Sequence, residues 1–101
     1  MTQLFLEPKY LDIVKTILKK HVFNRGVLAF GSRVSGKHKP HSDLDLCILG
    51  ESPLDIQEIT ELKEDFSESD LPIRIDLVEW ASISDDFKKI IEKSSYPILS
   101  K

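Results

Sequence analysis

Asp43 and Asp45 stand one residue apart, and ten residues separate Asp43 from a Gly31-Ser32 pair. On an extended chain alternate side chains share a face, so both carboxylates aim the same way. Two like charges about 4 Å apart repel by roughly 4 kcal/mol at an effective dielectric near 20. Such a pair reads either as a solvated, charged strand end or as a place that holds a cation. Oxygen-only ligands select hard ions, and Mg²⁺ is usually held by one or two carboxylates together with substrate phosphates. A third carboxylate, Asp76, lies in "PIRIDLVEW", on the face opposite that run's isoleucines. If its strand pairs with that of Asp45, all three acids front one cleft. Gly31 permits a tight turn and a close main-chain approach. Amides of residues 32–36 and the Ser32 hydroxyl would then suit a phosphate, and Arg33, next in sequence, is within reach of a triphosphate or of a partner. Two ions about 3.5–4 Å apart can clamp an in-line displacement at phosphorus. The expectation is nucleotidyl transfer, with Asp43, Asp45 and Asp76 as catalytic and metal residues and Gly31, Ser32 and Arg33 as nucleotide-binding ones.

These residues need strands and turns to hold them. "EPKYLDIVKTILKK" predicts a helix: Pro8 suits a first turn, and Leu11, Val14, Ile17 and Leu18 recur at helical spacing. "GVLAF" is a short apolar run ending at Gly31 and predicts a buried strand. "DLDLCIL" predicts a second, with Leu44, Leu46 and Ile48 on one face and Asp43, Asp45 and Cys47 on the other. A helix follows in "ESPLDIQEITELKEDF", with Ser52 as cap, Pro53 in the first turn and Ile59, Leu62 and Phe66 facing inward. Residues 72–80 alternate as a third strand, and the 61–70 run "ELKEDFSESD" reads as a solvated helix end. "SDDFKKIIEK" closes the series as a short helix capped by Ser84, with Phe87, Ile90 and Ile91 inward. The fold class is α/β (α+β): one small mixed sheet of three or more strands flanked by helices.

Length and composition narrow the setting. With 101 residues, 41% hydrophobic and 31% charged, residues 1–101 are expected to form a single domain with one core. A formal net charge of −3 argues against direct binding of nucleic acid through phosphate neutralisation. The single cysteine excludes an internal disulfide and suits a reducing compartment. No apolar run reaches membrane-spanning length and no secretion signal opens the chain, so a cytoplasmic location is expected.

Other candidates carry blander readings. Arg33, Lys37, His38, Lys39 and His41 make the connecting loop basic, which is ordinary for a solvated loop. His38 and His41 lack the further ligands of a zinc site. Cys47, inside an apolar strand, reads as a small buried side chain rather than a nucleophile. Ser35 and Ser42 have no paired base, and Glu79 has the opposite strand parity to Asp76. Trp80 and Phe87 read as core.

"FGSRVSGKHKPHSDLDL" followed by "RIDLVEW" resembles the signature of the DNA polymerase β-type nucleotidyltransferase superfamily, and looks closest to its minimal nucleotidyltransferase branch. The likeness runs from Val27 to about Ile91. It implies a polymerase β-like fold in which Gly31 and Ser32 hold the β- and γ-phosphates of ATP. It further implies that Asp43 and Asp45 bridge two Mg²⁺ ions, while Asp76 ligands the catalytic one and helps deprotonate the attacking hydroxyl. Members of this branch are commonly paired with a HEPN-domain toxin, which the antitoxin silences by transferring AMP onto a tyrosine. The alternatives are a non-catalytic nucleotide-binding module that masks its partner's active site, and a transferase acting on a small molecule such as an aminoglycoside.

Overall fold

The computed structural model describes residues 3–100. Helix α1 (Pro8–Val22) has Pro8 at its start, where no main-chain donor is needed, and buries Val14, Leu18 and Val22. Its last turn carries Lys19, Lys20 and His21, cations at the end where the helix carbonyls gather. Strand β1 (Val27–Phe30) runs into the one-turn helix α2 (Ser32–Ser35). Strand β2 (Leu44–Ile48) follows, then helix α3 (Ile56–Glu68) and strand β3 (Ile75–Glu79). A short 3-10 turn (Trp80–Ser82), helix α4 (Asp85–Lys93) and strand β4 (Tyr96–Leu99) come last among the described residues.

The sheet has the order β3-β2-β1-β4. Strand β1 pairs antiparallel with β2 on one side and with β4 on the other, the second pairing interrupted between Val27 and Leu28. Strands β2 and β3 pair in parallel, because α3 carries the chain back across the sheet between them. One face of the sheet presents Val27, Ala29, Leu44, Leu46 and Ile48, which join Val14, Leu18 and Val22 of α1 and Leu62 and Phe66 of α3 in a single core. Each fully buried leucine there contributes about 2 kcal/mol of apolar transfer. On the other face Phe30 meets Phe87 of α4 edge-on, with ring centres 5.6 Å apart. Among the described residues no helix is long and apolar enough to cross a membrane.

Several sequence-based expectations are corrected. Helix α3 starts at Ile56, not near Ser52; its cap is Asp55, whose carboxylate accepts from the Glu58 amide at 2.7 Å. Two capping residues precede the apolar stripe, and the one next to it wins because Leu54 is drawn into the core. The 61–70 run, by contrast, is a solvated helix end as expected, helical as far as Glu68 with Leu62 and Phe66 inward. Strand β3 is shorter than residues 72–80, and β4, hidden by Pro97 in a four-residue run, was not anticipated. Ile90 does not face inward: it is 65% exposed, while Ile91 is buried. Trp80 and Phe87 are half-buried rather than fully enclosed.

Candidate active site

The turn after β1 is built on Gly31, with φ 80° and ψ −153°, a conformation that L side chains rarely adopt. A second constraint acts at the same atom. A Cβ on Gly31 would collide with Oδ2 of Asp45, so the glycine both makes the turn and leaves room for the carboxylate. The Gly31 carbonyl accepts from the amides of Val34 and Ser35 at 3.0 Å. The amides of Ser32 and Arg33 come ahead of those bonds, as first-turn donors do. The turn closes at Gly36, φ 85°, whose amide donates to the Ser32 carbonyl.

Strand pairing gathers the acids. Asp45 sits opposite Phe30 on β1 and opposite Asp76 on β3. Asp43, two residues earlier, shares Asp45's parity. Burial raises the Asp45 carboxyl from its ordinary 3.8 to about 6, and the charges of Asp76 and Asp43 add to the rise. The side chains of Asp43 and Asp45 are half-buried and Asp76 is exposed, so the cluster opens to solvent on the sheet face away from the core.

Glu79 turns to the other side, as its parity requires, and accepts from the Leu54 amide at 2.6 Å. Cys47 is fully enclosed, and burial pushes its thiol up to about 11, leaving it inert. His38 stacks on Phe5, with ring centres 5.1 Å apart.

Arg33 departs from expectation. It is 6% exposed, and its guanidinium donates to the carbonyls of Phe5, Pro40 and Ser42 rather than standing open to a phosphate. Sequence spacing carries no sign of this, because main-chain carbonyls have no residue type to read. The structure thus brings Gly31, Ser32, Asp43, Asp45 and Asp76 to one end of the sheet and commits Arg33 to the scaffold.

The donor set fits magnesium chemically. It offers oxygens only, from carboxylates whose mutual repulsion a cation relieves. Among the described residues no three acidic, histidine or cysteine side chains stand within one ion's reach as they lie. Magnesium needs only one or two carboxylates where phosphate oxygens and water complete its shell.

A glycine-serine turn beside strand-borne carboxylates is the arrangement of a nucleotidyltransferase. Residues 8–99 match the nucleotidyltransferase domain family, and the chain belongs to that family. It is 56% identical over 91 residues to the probable protein adenylyltransferase MntA of Haemophilus influenzae, covering 90% of this chain and 80% of that one. Its fold matches a crystal structure of a toxin–antitoxin with AMP-PNP at a TM-score of 0.74 and 22% identity, over 90% of this chain and 73% of that one. A spectinomycin adenyltransferase from Enterococcus faecialis, crystallised with ATP and spectinomycin, matches at a TM-score of 0.52 and 32% identity, over 70% of this chain and 32% of that one.

Proposed function

We propose that this chain is a cytoplasmic antitoxin, a single nucleotidyltransferase domain that transfers AMP from ATP to a tyrosine hydroxyl of a HEPN-domain toxin. The observation that carries the reading is the register of β2 on β3, which sets Asp45 beside Asp76 next to the Gly31-Ser32 turn. The kinship with a probable protein adenylyltransferase supports a protein acceptor. The likeness to a toxin–antitoxin structure with an ATP analogue supports a toxin partner.

In this reading the Ser32 hydroxyl and the first amides of α2 hold the β- and γ-phosphates. Asp43 and Asp45 would hold two Mg²⁺ ions, with Asp76 as a ligand of one of them. When bound, the ions would shield the phosphate charge and favour the ionised nucleophile. The phenolic oxygen bonds to the α-phosphorus, the bond from that phosphorus to the bridging oxygen breaks, and pyrophosphate leaves. Asp76, exposed at the edge of the cluster, takes the phenolic proton.

Co-expression with the neighbouring gene's product, followed by intact-mass measurement of that product, tests the proposal. A gain of whole AMP units that depends on this chain is expected. A tightly bound partner of unaltered mass would instead mean neutralisation by masking, with the site used only to bind nucleotide.

A further inference from the structure

Arg33 is the one charged residue that is buried among the described residues, and none of the ion pairs found among them includes it. A buried cation without a carboxylate is costly unless dipoles replace its water. Here three carbonyls do so: Nε donates to Ser42 at 2.9 Å, Nη1 to Phe5 at 2.8 Å and Nη2 to Pro40 at 3.1 Å. The Phe5 amide returns a bond to the Arg33 carbonyl at 2.8 Å. The Phe5 ring also lies 3.4 Å from where a Cβ on Gly36 would stand, and it stacks on His38.

Three separate segments therefore meet on one side chain. They are the strap before α1, the turn that follows β1, and the loop of residues 37–42. Their placement along the chain matters. Arg33 directly follows Ser32, and Ser42, which it holds, directly precedes Asp43. A planar fork with fixed donors can set such a distance, whereas a lysine ammonium offers only a point charge on a flexible stem.

We propose that Arg33 is a positioning residue that spaces the phosphate-binding turn from the first metal-binding aspartate without touching the nucleotide. The inference rests on the nucleotidyl-transfer reading, and the experiment separates the two. R33K and R33Q are compared with the parent chain for melting temperature, for Mg·ATP affinity by calorimetry well below each melting point, and for amide hydrogen exchange without nucleotide.

Both variants are expected to bind Mg·ATP about ten- to a hundredfold more weakly while folded, as loss of an outer partner does at metal sites. Exchange at the Phe5 and Ser42 amides is expected to quicken. A folded variant that melts earlier but keeps the parent's affinity would make Arg33 merely structural and overturn the proposal. R33K at the parent's affinity would overturn it too, since charge alone would then suffice. If R33Q does not fold, R33K carries the comparison. A parent chain that takes up no Mg·ATP would sink the transfer reading, and unchanged exchange at Phe5 and Ser42 would sink the Arg33 inference separately.

Discussion

Asp65 and Asp45 are the same residue type in opposite surroundings. Asp65, on α3, meets His21 Nε2 at 2.5 Å and Lys20 Nζ at 3.2 Å on the basic last turn of α1. Hydrogen bonds from His21 and then Lys20 hold its carboxyl below the usual carboxylate range. Asp45, on β2, is partly buried and faces Asp76 and Asp43, and its carboxyl is raised to about 6. The first acid ties two helices together. The second faces like charges and, when ionised, opposes the fold. The candidate site occupies the region where electrostatics opposes folding, and stability is drawn from the region where it assists.

The largest way to break that contrast is to neutralise the repelled acids. Asp43→Asn or Asp45→Asn should cut AMP transfer at least a hundredfold (~100×), the upper end of what losing even an outer-shell partner costs at a metal site. The fold should persist, because charge is removed rather than packing. Radiolabelled AMP incorporation into the partner measures this, and transfer by either variant near the parent rate would refute the site.

A smaller effect has the opposite sign. A carboxyl that binds its proton more tightly in the folded state loses folding stability as pH rises through the interval between its two pKa values. For Asp45 that interval runs from 3.8 to about 6. The free chain should lose stability across it, by about 1 kcal/mol after allowance for solvent screening at a half-exposed site. Asp45→Asn should remove that slope and, at pH 7 without Mg²⁺, denature at higher urea than the parent. A parent midpoint that stays level between pH 4 and pH 6.5, matching the variant's, would contradict the raised carboxyl.

The smallest expected effect lies at the other acid. Asp65 has a lowered carboxyl, so its contribution is present above the ordinary carboxylate range and fades as pH falls through its folded value. Asp65→Asn should lower the urea midpoint at pH 7 slightly and leave AMP transfer intact. The difference from the parent should vanish in acid. Added salt should shrink it as well, since Lys20 is mostly exposed.

How much of this was legible in the sequence follows from what each feature depends on. The parity of Asp43, Asp45 and Asp76 against Leu44, Leu46, Ile75 and Leu77 is a period-two pattern, so the strands and their acidic face could be read directly. The parallel pairing of β2 with β3 could only be supposed, because register depends on how α3 crosses the sheet. Strand β4 was hidden because four residues containing Pro97 show little strand pattern until β1 offers them an edge. Ile90 and Ile91 look alike in composition, and only the direction of α4 separates the exposed one from the buried one. The setting of Arg33 was hidden for another reason: its partners are carbonyls from three distant places, and nothing in residue identity marks them.

The crossover through α3 also bears on how the acids come together. Asp45 and its neighbour Asp76 belong to strands joined through α3, and closing such a non-local parallel pair is a slow step for a chain. The glycine turn is local to the chain, whereas the third acid is brought in by that distant pairing. Any activity that needs both acids is thereby tied to the completed sheet, since only the pairing of β2 with β3 sets the two side by side.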